Sequence, residues 1–308
     1  MTGLEVLLLA ILVDACLGEP KFIWRKFHHP IVLMGNLIKA FEIKLNIGEK
    51  KLRNGILTLI SLIIIAISIG IVFDKLIGGT LFEVLVVAIL LAFRSLYDHI
   101  IGVTNGLRQS LGDGRYMVSR IVGRDVTEMD ESDVVRSTIE SAAENLSDGF
   151  IAPVIWYLIL GLPGIIVYKM INTADSMIAY KSEKYKEFGW ATAKTDDLVN
   201  WLPARITSGL ILLSTRNFTS WEVVRKNSKI HRSPNAGWPE GAMAASLKVA
   251  LAGPRSYNGI VGSDPYINSE GRYNLVKSDI NNCGKVLWKV WSLMFLIVFL
   301  LAGLVRFI

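Results

Sequence analysis

The chain has 308 residues, 52% of them hydrophobic, with 33 Lys and Arg against 27 Asp and Glu and a mean hydropathy of +0.43. An apolar share above the soluble average points to a bilayer. The net charge of +6 does not indicate nucleic acid, because most of the excess lies in one loop between two apolar stretches, where membrane topology accounts for it.

The first apolar stretch, Leu4–Leu17, carries Glu5 and Asp14, has no basic leader and is followed by no small-x-small cleavage site, so it is expected to be a retained helix and not a signal peptide. The loop after it holds Lys21, Arg25, Lys26, Lys39, Lys44, Lys50, Lys51 and Arg53. The positive-inside rule places that loop in the cytoplasm and the N-terminus outside. Gly55–Phe73 and Gly79–Phe93 then predict a hairpin with a short outer turn at Asp74 and Lys75, and Val286–Val305 predicts a last span. The second and fourth of these stretches are long enough for roughly 30 Å of hydrocarbon, and the other two depend on their flanks.

Residues 94–149 read as a mostly helical cytoplasmic region. The run "VVRSTIESAAEN" sets Ile139, Ala142 and Ala143 on one side and Glu140, Glu144 and Asp148 on another. On spacing alone, a solvated stripe is the favoured reading of those three acids. Phe150–Met170 is long enough to span but is interrupted by Gly161, Pro163 and Gly164. A full crossing would put Lys181, Lys184, Lys186 and Lys194 outside, so a broken or re-entrant helix is expected, with Leu202–Leu213 helping to return the chain. Helices are expected at Trp221–Ser228 and Pro239–Leu251. The fold class is thus all-α, a polytopic membrane protein of four to six membrane helices forming one domain over residues 1–308. Residues 1–93 supply N-terminal membrane helices and the basic loop, 94–285 a mainly cytoplasm-facing catalytic region, and 286–308 a C-terminal membrane helix. The lipid bilayer in question is the cell membrane.

Acids at a membrane boundary are costly unless paired, hydrated or bound to a cation, which makes Glu144, Asp148, Asp175, Asp196 and Asp197 functional candidates. Carboxylates suit Mg2+, which normally arrives with phosphate. Against this, pairing with Arg124, Lys181 or Arg205 is the simpler account of the same acids. No P-loop, dinucleotide fingerprint or kinase signature is present, and "AGPRSYNG" reads as a simple turn. His28, His29, His99 and His231 form no zinc motif; His231, opening the polar stretch "HRSPNAGWPEGAMAASL", is the best titrating candidate. Cys16 and Cys283 lack metal spacing and suit helix packing. The tryptophans read first as interfacial anchors, with a ligand-facing role open for Trp201 and Trp238.

Taken in order, "DACLGEP", "VGRD", "ESAAENLSDGFIAP", "GLPG", "NTADSM", "YKEFGWATAKTDDLVNWLPAR" and "SPNAGWPEGAMAASL" resemble the CobD/CbiB family, the adenosylcobinamide-phosphate synthases of cobalamin biosynthesis, over nearly the whole chain. Glu19, Val126 and Lys194–Thr195 depart from the family's usual residues. The resemblance implies a ligase joining the carboxylate of adenosylcobyric acid to the amine of aminopropanol phosphate or a related amino-alcohol phosphate, with ATP and Mg2+, through an acyl phosphate. Set against that chemistry, Glu144, Asp148, Asp196 and Asp197 are expected to be catalytic and, with Asp175, to hold Mg2+. Arg124, Asp125, Asn145, Lys181 and Arg205 are expected at ATP, and His231, Ser233, Asn235, Gly237 and Trp238 at substrate. Other corrinoid-pathway enzymes are expected partners. Two other classes stay open on the residues alone: a transporter or sensor using the same acids beside a broken helix, and a non-catalytic assembly factor.

Overall fold

A computed structural model describes residues 2–19, 24–77, 79–257 and 260–307. Lys21 of the basic loop, Pro20 of "DACLGEP" and the last two residues of "AGPRSYNG" lie outside them. In chain order the helices are α1 (Gly3–Leu17), α2 (Pro30–Leu45), α3 (Lys51–Val72), α4 (Thr80–Leu90), α5 (Phe93–Gln109), α6 (Leu111–Ser119), α7 (Glu131–Leu146), α8 (Ala152–Ile178), α9 (Trp190–Val199), α10 (Trp201–Ser214), α11 (Trp221–Ser228), α12 (Gly237–Leu247) and α13 (Lys277–Phe307). The only sheet among the described residues is two pairs of two-residue strands, β1 (Leu251–Ala252) with β4 (Tyr266–Ile267) and β2 (Ser256–Tyr257) with β3 (Ile260–Val261), both antiparallel. The protein is an all-α polytopic membrane protein. Four helical stretches are long and apolar enough to cross a bilayer: Lys51–Lys75, Thr80–Gln109, Glu131–Ile178 and Lys277–Arg306.

Three of these contain apolar stretches expected from the sequence, and the fourth contains the interrupted one. The first stretch forms α1, but its 15 residues reach only about 22 Å at the helical rise, short of the hydrocarbon thickness. The expected turn at Asp74 and Lys75 is a π-helical turn over Phe73–Ile77.

The chain divides into two compact units that interleave in sequence. The first comprises Met1–Ala92, Ala152–Asn200 and Val298–Ile308. Its α1 starts on a capping box, in which Thr2 accepts the Glu5 N–H while Glu5 accepts that of Thr2. Helix α8 is broken where expected: Gly161 adopts φ 63 and ψ −151, and Pro163 follows. That backbone region is closed to residues with a Cβ, so glycine makes the break possible and proline removes a donor just after it. Close approach of α3 to this break requires a second small residue. A Cβ on Gly70 would stand 2.5 Å from Pro163 Cα, the kind of contact small residues permit between membrane helices.

The second unit comprises Phe93–Ile151 and Trp201–Ile297. Helix α7 is capped by Asp130, whose side chain accepts the Asp133 N–H at 2.8 Å. Its inner residues, among them Val134, Val135, Ile139, Ala142, Ala143 and Leu146, are buried. Helix α12 stops four residues before the expected end, because Lys248 turns into the left-handed region at φ 56 and the chain leaves as β1. That strand pairs Leu251 with Ile267 and Ala252 with Tyr266.

Candidate active site

The acidic stripe of α7 is where expectation and structure differ most. Glu140 is not solvated; it is 1% exposed and sits at the centre of a charge cluster. Arg124 Nη2 donates to its Oε2 at 2.5 Å, Arg255 Nη2 to the same oxygen at 3.0 Å, and the Ala252 N–H to Oε1 at 2.7 Å. A buried carboxylate is tolerable only when its lone pairs are matched in this way. One helical turn on, Glu144 is exposed, within the field of the Arg255, Arg232 and Arg124 charges. Asp148 is half-buried in the π-helical turn after α7. The stripe therefore runs from a buried anchor to an open carboxylate.

The polar stretch before α12 closes the other side of this cluster. Glu240, in the first turn of α12, is buried and has Arg255 Nη2 3.6 Å from its Oε2 and His231 Nε2 3.5 Å from its Oε1. Burial, reinforced by the Glu140 charge, pushes the Glu240 carboxyl well above the usual carboxylate range. His231 Nδ1 lies 3.1 Å from the Ser233 N–H, which donates to it. Burial lowers the pKa of the imidazole from its ordinary value.

The remaining residues of the stretch hold the loop. Ser233 Oγ accepts the N–H groups of Asn235 at 3.3 Å and Ala236 at 3.2 Å. Gly237 is needed where the chain packs on itself, since a Cβ there would stand 2.6 Å from His231 Cβ. Gly237, expected at substrate, thus packs against His231. Arg205 lies between two indoles, its guanidinium carbon 4.3 Å from the Trp201 ring centre and 4.7 Å from that of Trp238, and donates to Asn235 Oδ1 at 3.3 Å. Burial lowers its pKa from the usual arginine value. Trp201 and Trp238 therefore grip a cation, a role beyond anchoring.

In the first unit, Asp196 ends a polar chain. Its Oδ2 accepts Asn200 Nδ2 at 3.0 Å, and Asn200 Oδ1 accepts the Tyr168 hydroxyl at 2.9 Å. Asn172 Nδ2 reaches Asp196 Oδ1 at 3.5 Å. Asp197 is within 3.9 Å of Lys194 Nζ, and burial raises its pKa despite the charges of Lys194 and the exposed Lys181. Asp175 is half-buried on α8.

Of the expected site residues, the second unit brings together Arg124, Glu144 and His231 around Glu140, and Arg205, Asn235 and Trp238 around the aromatic grip. Asp125 is half-buried, while Asn145 is exposed and donates to the Ser141 carbonyl at 2.9 Å. Glu140, Glu240 and Arg255, which build the cluster, are not among the site residues expected from the sequence. Arg255 lay in the stretch read as a simple turn. The five acids expected at Mg2+ divide between the units, and among the described residues no group of three or more His, Cys, Asp or Glu is arranged to hold a metal ion. Mg2+ that arrives with phosphate needs only one or two carboxylates. Of the five acids Glu144 is the exposed one, and so the one open to a metal carried in on phosphate. Of the two cysteines, Cys283 is buried and Cys16 is exposed.

Comparison with known proteins extends over most of the chain. The family model described as "CobD/Cbib protein" matches residues 7–287. A cobalamin biosynthesis protein CobD from Rhizobium meliloti (strain 1021) is 43% identical, with 94% of each chain aligned. Its counterpart from Sinorhizobium fredii is 42% identical over 92% of each. One from Rhodobacter capsulatus is 40% identical over 87% of this chain and 88% of its own. No solved structure matches.

Proposed function

Because the chain belongs to the CobD/CbiB family, and so serves cobalamin biosynthesis as a multi-pass membrane protein, we propose that it is the ligase that forms adenosylcobinamide phosphate. In this reading it joins adenosylcobyric acid to aminopropanol phosphate, or a related amino-alcohol phosphate, with ATP. The reaction takes place on the cytoplasmic side of the cell membrane, and neighbouring corrinoid-pathway enzymes are its partners. The observation that carries the reading is the second unit's charge cluster, where Arg124 and Arg255 are fixed on buried Glu140 next to open Glu144.

A carboxylate and an ammonium do not condense unaided. The carboxylate must first become a better acyl donor, most simply an acyl phosphate, which draws several negative groups together. Mg2+ supplies positive charge to those oxygens when bound. The chain's own part is to hold phosphates with pre-set donors and to provide one or two carboxylates for the metal, drawn from Glu144, Asp148, Asp175, Asp196 and Asp197. Arginines already tethered to buried acids need no reorganisation when a phosphate arrives, which is the condition for stabilising charge that develops during reaction. Arg205, Lys181, Asp125 and Asn145 serve the nucleotide, and the stretch from His231 to Trp238 serves substrate.

Purified protein given ATP, Mg2+, adenosylcobyric acid and aminopropanol phosphate should yield the amide with matching ATP hydrolysis. A transporter or sensor gives neither, and an assembly factor binds corrinoid without consuming ATP. Asp196→Ala should abolish product formation while the protein still inserts and runs as the wild type on gel filtration; retained turnover removes Asp196 from the active site.

A further inference from the structure

Helix α2, in the first unit, is 16 residues long and is not one of the four stretches able to cross the bilayer, yet it packs against two of them, contacting α3 and α8. A Cβ on Gly35 would stand 3.3 Å from the sulfur of Met177, one residue before the stretch Glu131–Ile178 ends. At the other end of α2, Asn54 Nδ2 donates to the Leu45 carbonyl at 2.9 Å, which ties the helix to the first turn of the stretch Lys51–Lys75. Helix α2 is therefore fixed where two membrane-crossing stretches meet the polar layer. Ile38 is its one fully buried residue. At 3.6 residues per turn, the face opposite Ile38 carries Val32, Leu33 and Ile43 around Asn36, with Lys39 along one edge and Lys44 along the other, all of them exposed. Leu33 and Ile43 leave 55% and 66% of their surface open. The acid of α2, Glu42, is on the inner flank and is occupied by Lys184 Nζ at 2.6 Å and the Tyr185 hydroxyl at 2.8 Å. Lys39 and Lys44 make no salt bridge among the described residues.

We propose that this face is a docking surface for anionic phospholipid, in the leaflet at the Lys51 end of α3. Val32, Leu33 and Ile43 meet the acyl boundary, while Lys39 and Lys44 reach past them to headgroup phosphates. An apolar face bordered by lysines is the pattern of a helix held in the headgroup layer, because a lysine stem lies along apolar surface while its ammonium extends to the polar side. Lipid is the neighbour such a face meets, since the elements behind it cross the bilayer. Charge then selects which lipid. A zwitterionic headgroup offers the two ammonium groups no net attraction, whereas an anionic one does. Lys50 and Arg53, exposed just beyond the helix, extend the same basic surface, with Glu49 the one exposed acid among them. The surface is defined by membrane spans and charge, so it stands apart from the reaction of the second unit.

Lipid contact can be mapped residue by residue. The full chain is placed in phosphatidylcholine nanodiscs containing a trace of phosphatidylglycerol, or of phosphatidylcholine, that carries a photoreactive diazirine near the top of one acyl chain; after illumination, labelled peptides are quantified by mass spectrometry. The α2 peptide should take up about fivefold more label from the phosphatidylglycerol probe than from the phosphatidylcholine probe, the scale of one lysine near a charged surface. Exposed Leu296 and Leu300 in the apolar part of α13 should take up both probes alike and serve as the reference within each sample. Lys39→Gln combined with Lys44→Gln should bring the α2 ratio down to the α13 ratio and leave the latter unchanged, while Lys39→Arg with Lys44→Arg should keep the preference. Equal labelling of α2 by the two probes in the wild type overturns the proposal, as does a preference that survives the double glutamine variant. Absence of label from α2 in the wild type assigns the face to a second copy of the chain or another protein and overturns it as well.

Discussion

The burial of Glu140 can be tested by removing its charge and keeping its shape. Glu140→Gln retains an acceptor for the Ala252 N–H, so the backbone contact at 2.7 Å survives. Arg124 and Arg255, with side chains 11% and 5% exposed, lose the carboxylate they share. Breaking a buried ion pair from one side costs about 3–5 kcal/mol, because an uncompensated charge stays behind. For a unit of this size each kcal/mol moves the unfolding midpoint by about 2–4 °C, so a fall of roughly 6–20 °C is expected. Fluorescence-detected gel filtration after heating, at one fixed heating protocol, measures the apparent midpoint in detergent. Glu144→Gln, one turn further along the same helix face but exposed, should stay within about 0.5 kcal/mol. Adding Arg124→Met to Glu140→Gln should recover part of the loss, with a coupling of about 0.5–3 kcal/mol. If Glu140→Gln and Glu144→Gln shifted the midpoint equally little, the acids would be a solvated stripe after all and the cluster would not hold the unit together.

Gly161→Ala places a Cβ at φ 63, ψ −151, where nothing crowds it but the backbone itself resists; a loss of about 1–3 kcal/mol in the same heating assay is expected. Gly70→Val forces a side chain into Pro163, 2.5 Å from where its Cβ would be, and should cost about 1–3 kcal/mol or more through overpacking. Arg205→Ala removes the cation between Trp201 and Trp238 and should alter tryptophan emission, with KM for ATP raised and the oligomeric profile unchanged. Stability should also depend on pH in two opposed ways. The Glu240 pKa is raised above its ordinary 4.5, so its contribution is complete below that value and lost as pH rises toward the folded value; Glu240→Gln should flatten the alkaline side of the profile. The His231 pKa is lowered below 6.5, so its contribution is present above that value and lost as pH falls; His231→Asn should flatten the acid side.

How far the sequence could be read depended on the distance over which each feature is determined. The break in α8 was legible because glycine and proline act on their own backbone, and Trp221–Ser228 was legible because its pattern and bounds are local. The end of α12 was not, since Lys248 takes a left-handed conformation at φ 56 that a lysine does not signal. The acidic stripe was read with the right residues and the wrong environment. Spacing places Glu140 and Glu144 on one face, but the burial of Glu140 depends on partners far along the chain: Arg124 lies 16 residues from it and Arg255 lies 115 residues from it. A signal did exist. "AGPRSYNG" has one arginine in a segment whose neighbours Ala250, Leu251 and Ala252 are apolar, and an arginine entering an apolar segment requires a buried acid somewhere. Gly253, at φ 88 with a Cβ position 2.4 Å from the Tyr266 ring, marks the tight turn that delivers it.

The arrangement also explains why a membrane protein would hold so much charge in its second unit. Two buried acids, Glu140 and Glu240, approach one guanidinium, Arg255, at 3.0 and 3.6 Å. One of them is saturated by three donors, and burial keeps the other close to its protonated form. That inequality fixes Arg255 by a strong contact on the Glu140 side and a looser one on the Glu240 side. Apolar residues of similar volume would stabilise the unit as well or better. Retaining the charges makes physical sense where the cluster must hold an arginine rigidly beside an anionic ligand, which is the demand that phosphate-bearing substrates make.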